Sequence, residues 1–149
     1  MSLSNISQIL FRNTELLRAT KPLLINMPGD NIVSTYLAEY PQANITCYNT
    51  NFEHYQNLKE TNPTNAEYKF VAHYQTTIKH DLVVIAFPKS KNELCFTLAM
   101  ITEYLSNNAQ IIIVGEKNSG VKSSPKLTAD FLQQCNKVDS ARHCMLFTG

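Results

Sequence analysis

The sequence lacks the features that mark a membrane or secreted protein. Its longest apolar runs, such as Leu82 to Phe87, are far shorter than the roughly 20 residues that a membrane-spanning helix needs. The first residues show no basic segment followed by a long apolar stretch, which a secretory signal would require. We therefore expect a cytoplasmic protein without a membrane partner.

The sequence also has no C-x-x-C pair, and its four cysteines are far apart. Only His143 and Cys144 are adjacent, and neighbouring residues of a strand point to opposite faces of the sheet. A zinc site, or any other metal partner, is therefore not expected. Several of the cysteines have apolar or strand-like neighbours, which favours reduced thiols in or near a core. The four are Cys47, Cys95, Cys135 and Cys144.

The sequence also has no large excess of positive or negative charge. Charged residues make up 17% of the chain, and the formal net charge is +1, so the composition alone does not indicate nucleic-acid binding. Residues 88–149 are mildly basic, with seven Lys and Arg against five Asp and Glu. Scattered surface lysines are usually only solvated, so this bias is a weak signal.

The 149 residues suit a single domain in which short apolar segments alternate with amphipathic ones. Strands are predicted at Pro22–Asn26, Asn44–Tyr48, Tyr68–Ala72, Asp81–Phe87 and Gln110–Val114. Helices are predicted from Ile6 to about Arg18, then at Ile32–Tyr40, Phe52–Leu58, Asn92–Leu105 and Lys126–Gln133, with a loop at residues 62–65. The last segments, Cys135–Val138 and His143–Phe147, predict an antiparallel pair.

This alternation predicts an α/β fold, a doubly wound and mostly parallel sheet with helices on both faces and an antiparallel C-terminal edge. Asp81–Phe87 is almost wholly apolar, which is typical of a strand buried on both faces of a parallel sheet. No internal repeat or low-complexity linker divides the chain, so residues 1–149 are expected to form one module.

A nucleoside cofactor in such a sheet needs two features that this sequence lacks. The turn after strand one should be rich in glycine, so that backbone amides approach the ligand. Here the turn Asn26–Asn31 has one glycine, and Pro28 removes a backbone donor. The second strand should end in an acid that holds the ribose hydroxyls, but Asn49-Thr50-Asn51 follow Tyr48. We therefore expect no cofactor pocket.

The segment Gly115–Ser123 (GEKNSGVKS) nearly spells a phosphate-binding P-loop. That motif requires Lys directly after the second glycine, and here Val121 intervenes. An NTPase is therefore not expected. Two interpretations remain open for the segment: a turn between strand and helix, or a loop whose amides and lysines hold an RNA phosphate.

Catalytic residues are not identified either. Asp30, Asp81 and Asp139 do not pair with any histidine at an informative spacing. The four histidines are dispersed, and the serines near residue 120 lack the context of a nucleophile elbow. The sequence therefore predicts no active site.

Three ordered segments in the last part of the chain carry a resemblance to a known family. They are Phe87–Glu93 (FPKSKNE), Ile113–Ser123 (IVGEKNSGVKS) and Asn136–Cys144 (NKVDSARHC). Together they resemble the N-terminal domain of the family of ribosomal RNA small subunit methyltransferase C (RsmC). The resemblance covers residues 82–149 well and residues 1–81 more loosely.

The resemblance implies a Rossmann-like, degenerate class I methyltransferase domain, the first of two in tandem. In that family the second domain binds S-adenosylmethionine and holds the target guanine with an Asn-Pro-Pro-Phe motif. Phe87-Pro88-Lys89-Ser90 stands at the corresponding place here. The implied parent methylates N2 of a guanine in 16S rRNA of the small ribosomal subunit. This chain is then expected to be non-catalytic and without a cofactor, with the catalytic domain downstream of residue 149.

The partners implied are the chain's own C-terminal catalytic domain and 16S rRNA. We expect a supporting role together with phosphate contacts to the RNA, and the candidate residues are Lys89, Lys91, Lys117, Lys122 and Arg142. Two alternatives stay open. One is a free-standing small methyltransferase or nucleotide-binding protein, and the other is a purely structural interaction module without RNA contact.

Overall fold

The computed structural model describes residues 3–62 and 66–149, and in it seven strands form one sheet. The sheet order is β3-β2-β1-β4-β5-β7-β6. Strands β1 to β5 pair in parallel, whereas β7 lies antiparallel between β5 and β6. The strands are β1 Pro22–Ile25, β2 Ile45–Tyr48, β3 Ala66–Lys69, β4 His80–Ala86, β5 Leu105–Glu116, β6 Asn136–Ala141 and β7 Cys144–Thr148. The predicted fold class is confirmed.

The described residues also form five α-helices: α1 Asn5–Arg12, α2 Ile32–Glu39, α3 Phe52–Thr61, α4 Lys91–Ile101 and α5 Ser124–Leu127. Short 3-10 turns lie at Thr14–Leu17, Thr102–Tyr104, Lys117–Ser119 and Val121–Ser123. Side chains cap three of the helices, because Ser4, Asn51 and Ser90 each accept a hydrogen bond from a backbone N–H in the first turn of α1, α3 and α4.

The core has two layers, one on each face of the sheet. Successive residues of a strand point to opposite faces, so Leu24 packs with α1 and α2 whereas Leu23 and Ile25 pack with α4. All four residues of β1 and all four residues of β2 are buried, because helices cover both faces of these central strands. Helices therefore cover both faces, as predicted.

Several elements differ from the sequence-based expectation. Helix α4 ends at Ile101 rather than at Leu105, and β5 begins at Leu105 rather than at Gln110. The first helix stops at Arg12, and Asn13 turns its side chain to the Ile9 carbonyl and to Asp139. Strand β3 spans Ala66–Lys69 rather than the predicted Tyr68–Ala72, because Ala66–Lys69 are the residues that pair with Ile45–Tyr48 of β2. Of the loop expected at residues 62–65, only Asn62 lies within the described residues.

The helix predicted at Lys126–Gln133 is wrong, since α5 ends at Leu127. Thr128 donates its hydroxyl to the Ser124 carbonyl at 2.8 Å, an alternative bond that Thr side chains offer to helical backbone. The chain then turns through Phe131, whose N–H bonds the Thr128 carbonyl, and returns to the sheet at β6.

Candidate functional site

A cleft of about 320 Å³ lies where β1, β2 and β4 end. The strand order reverses between β1 and β4, and ligands of doubly wound sheets bind beyond the carboxyl ends of the strands at such a point. The cleft is therefore the candidate site that the fold itself indicates. Its lining residues are Asn26, Thr50, Asn51, His54, Ala86, Phe87, Pro88, Lys89 and Glu93.

The turn after β1 is bonded directly to the segment after β2. Asn26 has a left-handed backbone, with φ of 56°. Its Oδ1 accepts from the Thr50 N–H at 2.8 Å and from the Thr50 hydroxyl at 3.1 Å. Asn49 adds a bond from its side-chain amide to the Met27 carbonyl at 3.2 Å. The gap between the ends of β1 and β2 is thus spanned by side chains of the protein.

Gly29, the one glycine of this turn, is in contact with helix α3. A Cβ at this position would lie 2.3 Å from the Cβ of Asn57, which is closer than two carbon atoms can approach. The missing side chain therefore allows α3 to pack against the turn, a role that differs from cradling a ligand.

Asp30 holds the next part of the turn. The side chain is buried, and its carboxylate accepts hydrogen bonds from the Ser4 N–H at 2.9 Å, the Ser7 hydroxyl at 2.8 Å and the Ile32 N–H at 2.9 Å. It therefore ties the start of α1 to the start of α2. From the sequence, Asp30 is only a candidate catalytic acid without a histidine partner. The missed signal is that an Asp near the start of a predicted helix is a common cap.

Asn62 completes this network, and no motif in the sequence pointed to its role. Its amide donates to the Asp30 carbonyl at 2.7 Å and to the Leu58 carbonyl at 3.0 Å, and its Oδ1 accepts from the N–H and the hydroxyl of Ser34. Asn62 is 1% exposed. All its bonding capacity is used to join the end of α3 to the turn and α2.

Asp81 and Asp139, the other candidate catalytic acids of the sequence, have structural partners too. Asp81 accepts from the backbone N–H groups of Thr20 and Lys21 at 2.8 Å, which fixes the entry to β1. Asp139 accepts from the Asn13 amide at 2.9 Å and forms an ion pair with Arg12 at 3.0 Å. These bonds lower the pKa of the Asp139 carboxyl, with the Asn13 hydrogen bond as the main cause.

His80 is the buried first residue of β4, so it lies at the amino edge of the sheet rather than at its carboxyl edge. Its Nδ1 lies 2.9 Å from the Lys21 carbonyl, and its Nε2 lies 2.7 Å from the Tyr74 hydroxyl. Because a carbonyl only accepts, Nδ1 carries the proton and Nε2 accepts from Tyr74. Burial lowers the pKa of His80 and raises that of Tyr74 to about 12. The pair is a neutral structural contact.

The segment Phe87-Pro88-Lys89-Ser90 lies directly after β4, as the sequence predicted. The Phe87 N–H bonds the Val114 carbonyl of β5, and Ser90 begins α4 by accepting from the Glu93 N–H at 3.2 Å. Between them, Lys89 lines the cleft and is exposed. Glu93 lines the same cleft from the first turn of α4.

The topology brings all five sequence-predicted cations to the carboxyl edge of the sheet. Lys89 and Lys91 follow β4, and Lys117 and Lys122 follow β5. Arg142 lies in the hairpin between β6 and β7, at the same edge because Cys144 pairs with Glu116. All five are exposed, and none forms an ion pair within the described ranges 3–62 and 66–149. Their roles as RNA contacts stay a prediction.

The hairpin that carries Arg142 has an unusual backbone. Arg142 and His143 both have positive φ, at 52° and 63°. Two central residues with positive φ match the tight turn that a right-twisted hairpin favours, in which Asn and Gly are the usual residues. A long basic side chain is thus held at the tip of the turn, pointing away from the strands at the carboxyl edge.

The loop after β5 is a turn stabilised by its own backbone. The Lys117 N–H donates to the His143 carbonyl at 2.8 Å, and the Ser123 N–H donates to the Gly120 carbonyl at 3.0 Å. Gly120 has a φ of 98°, a left-handed conformation that glycine adopts without strain. These two amides are bonded within the chain, and the side chains of Lys117 and Lys122 are the exposed cations of this loop.

In the part of the chain that the structure describes, no group of three or more His, Cys, Asp or Glu side chains could hold a metal ion. The four cysteines are free thiols, and burial raises the pKa of Cys47. Among the helices of the described residues, none has the length and apolar character needed to cross a bilayer.

Residues 7–149 match the sequence pattern of the family described as methyltransferase small domain, N-terminal. The chain belongs to this family. Its relatives include ribosomal RNA small subunit methyltransferase C of Colwellia psychrerythraea, which is 53% identical over the whole of this chain. The enzyme of the same name from Shewanella loihica is 34% identical over 98% of the chain. The chain spans 43% and 42% of the length of these two relatives.

Solved structures of methyltransferases share the fold. T. thermophilus RsmC, a 16S rRNA methyltransferase in complex with AdoMet and guanosine, superimposes with a TM-score of 0.69 over 97% of this chain and 38% of its own, at 16% identity. Human N-acetylserotonin methyltransferase in complex with SAM gives a TM-score of 0.74 over 97% of this chain and 51% of its own, at 8% identity. At these identities the similarity concerns the Rossmann-like fold alone.

Proposed function

We propose that residues 1–149 form the non-catalytic N-terminal domain of a longer 16S rRNA guanine-N2 methyltransferase. The observation that carries the proposal is the match of residues 7–149 to an N-terminal family, together with relatives named methyltransferase C of which this chain spans about two fifths. In this proposal the domain that binds S-adenosylmethionine and performs the transfer lies downstream of residue 149.

The residues of the cleft do not fit S-adenosylmethionine. A donor nucleoside needs open backbone amides after β1 and an acid at the end of β2. Pro28 has no amide hydrogen, Gly29 is covered by Asn57, and the Asn26 side chain is bonded to Thr50. The acid that lines the cleft, Glu93, comes from α4 on the far side. These features support a domain that has no cofactor of its own.

The exposed cations support a contact with rRNA. Lysine and arginine side chains contribute affinity for the phosphate backbone without reading sequence. Five of them share the carboxyl edge of the sheet, although the chain as a whole has a net charge of only +1. In this role the domain supports the catalytic domain and adds phosphate contacts through Lys89, Lys91, Lys117, Lys122 and Arg142.

Calorimetry of this chain with S-adenosylmethionine tests the non-catalytic assignment. We expect no heat of binding and no change in the unfolding temperature at millimolar ligand. A micromolar dissociation constant corresponds to about −8 kcal/mol and is readily measured. Binding of that strength would contradict the proposal and favour a free-standing methyltransferase.

The RNA contact is tested by titrating an rRNA fragment at several salt concentrations. The Lys117→Ala/Lys122→Ala variant should bind more weakly, and the slope of log affinity against log salt should fall by about two. The matched control is Lys21→Ala/Lys137→Ala, which removes two exposed lysines from the opposite, amino edge. Equal losses in both variants would exclude a specific role for the carboxyl edge.

A further inference from the structure

Three aromatic rings form a partly exposed cluster at the carboxyl edge. Ring centroids lie 5.3 Å apart for Phe52 and Phe70, 5.9 Å for Phe52 and Tyr55, and 5.6 Å for Tyr55 and Phe70. Phe52 is 57% exposed and Phe70 is 45% exposed. Large aromatic side chains contribute most to stability when they are buried. Two exposed rings in mutual contact therefore indicate a surface that binds a partner.

The cluster lies next to the cleft. Phe52 is the first residue of α3 and follows Asn51, and the same helix contributes His54 to the lining. Phe70 comes directly after β3, so it also lies at the carboxyl edge. The cleft is thus flanked by open aromatic rings on the β2–β3 side and by Lys89 on the β4 side.

The lining of the cleft offers both donors and acceptors. The Thr50 hydroxyl donates to Asn26 and the Asn51 Oδ1 accepts from the His54 N–H, so the groups that the lining presents are the Asn51 amide nitrogen, the His54 imidazole and the Glu93 carboxylate. A nucleobase presents a mixed edge of donors and acceptors together with a flat apolar face, and the cleft volume of about 320 Å³ lies within the range of small-ligand sites. The chemistry of the lining therefore suits a planar polar ring better than an apolar side chain.

We propose that this part of the edge binds unpaired nucleotides of single-stranded RNA. One base occupies the cleft, a neighbouring base stacks on the Phe52–Phe70 cluster, and Lys89 contacts the backbone phosphate. The inference rests on the proposed function, in which this edge faces rRNA. It adds the class of RNA recognised, because bases in a duplex are already stacked on their neighbours and do not offer a face to a protein ring.

The alternative, an apolar docking surface for another protein, fits the surroundings less well. Lys59 lies over the Tyr55 ring at 5.6 Å, and Glu67 and Lys69 form an ion pair at 3.5 Å on the adjoining strand. The apolar area therefore consists of the rings and the neighbouring Val71, which is 44% exposed, with charged side chains of α3 and β3 beside it. The polar cleft beside the rings would lose its hydration without gaining partners if an apolar surface covered it.

The test compares a short single-stranded oligoribonucleotide with a hairpin duplex of equal phosphate number, by fluorescence anisotropy with the 149-residue chain. We expect the single strand to bind several-fold more tightly. Phe52→Ala/Phe70→Ala should weaken single-strand binding about ten-fold or more, since stacking contributes roughly 1–3 kcal/mol per base. Duplex binding should stay unchanged, because the cations are intact.

Phe96→Ala is the matched control. Phe96 is 58% exposed, about as much as Phe52 at 57%, but lies in the second turn of α4 and does not line the cleft. A single-stranded oligomer that carries 2-aminopurine adds a direct readout, because its fluorescence is quenched when the base stacks on an aromatic ring. We expect quenching with the unmodified chain and with Phe96→Ala, and none with Phe52→Ala/Phe70→Ala.

The outcomes separate this inference from the proposed function. Binding of neither RNA would contradict the RNA contact itself. Equal affinity for both RNAs, unchanged by Phe52→Ala/Phe70→Ala, would overturn the nucleotide site and leave the phosphate contact intact. If that variant changed only the self-association of the chain in sedimentation, the cluster would be a protein-docking surface and the inference would be overturned.

Discussion

On the β1–β2 side of the carboxyl edge, polar side chains bond to the chain itself, whereas on the β4–β5–β7 side they extend into solvent. The side chains of Asn26, Asp30 and Asn62 form hydrogen bonds within the chain. These bonds join the turn after β1 to α1, α2, α3 and the end of β2. Lys89, Lys117 and Arg142 form no ion pair within the described residues. One edge of a single fold thus contains a turn after β1 that is bonded within the chain, and a set of cations after β4 and β5 that is free to contact a partner.

The polar groups of the turn after β1 have partners within the chain. Polar groups that line a ligand site are costly when they are buried without a partner. Here the turn after β1 satisfies those groups from within the chain, so the fold does not depend on a ligand. Four variants or conditions test the comparison, and they follow in order of expected effect on the free energy of unfolding.

The largest effect is expected for Asp30→Ala. The change leaves the Ser4 N–H, the Ser7 hydroxyl and the Ile32 N–H without their acceptor in a buried position. We expect a loss of about 3 kcal/mol in the free energy of unfolding, measured by urea denaturation at neutral pH. Asp30→Asn, which keeps one acceptor oxygen, should lose less. A loss below about 1 kcal/mol in Asp30→Ala would show that the turn is not a structural centre.

Gly29→Ala should destabilise the chain by about 2 kcal/mol, because its Cβ would meet Asn57 at 2.3 Å and force α3 away from the turn. The double variant Gly29→Ala/Asn57→Gly removes the Asn57 Cβ that the added methyl group at position 29 would meet. Its loss should be smaller than the sum of the two single losses in a double-mutant cycle. Additive losses would place the cause elsewhere in the turn.

Acidification should destabilise the chain through His80. Its folded pKa lies below the ordinary value of 6.5, because burial disfavours the charged imidazolium. The unfolded chain therefore binds more protons just below pH 6.5, and stability is lost as pH falls through this range. The slope contributed by one group is at most about 1.4 kcal/mol per pH unit. His80→Gln, which does not take up a proton, should show a flatter dependence between pH 7.5 and pH 5.

The smallest effect is expected for Lys117→Ala/Lys122→Ala. Both side chains are exposed and have no charged partner in the described part of the chain. The free energy of unfolding should stay within about 0.5 kcal/mol of the unmodified chain. A larger loss would mean that these cations are structural after all, and the contrast with the turn after β1 would not hold.

The central strands could be predicted closely because their signal is local. The apolar runs at Pro22–Asn26 and Asp81–Phe87 correspond to β1 and β4 within one residue at each end. The helix expected at Lys126–Gln133 was wrong because its few apolar residues are compatible with either a helix or a turn, and the return of the chain to β6 decided between them. Edge strand β3 was displaced because pairing with β2, rather than its own pattern, sets its ends.

The candidate site was predicted only in part. The missing acid after β2 and Pro28 in the first turn are visible in the sequence, and so are the five cations. The contacts that fill the turn are not, because Asn62 lies 32 residues from Asp30 and Asn26 lies 24 residues from Thr50. The aromatic cluster likewise joins Phe52 to Phe70, which belong to different elements.

The sequence by itself determined the order of strands and helices, the lack of a glycine-rich turn and the supply of lysines in the last part of the chain. Such features depend on residues that are close along the chain, where spacing and backbone preference act directly. Tertiary structure decided which polar groups are satisfied internally, that the cations share one edge, and that two phenylalanines lie open beside a polar cleft. Those depend on the parallel pairing of strands, which brings the carboxyl ends of distant segments to the same edge.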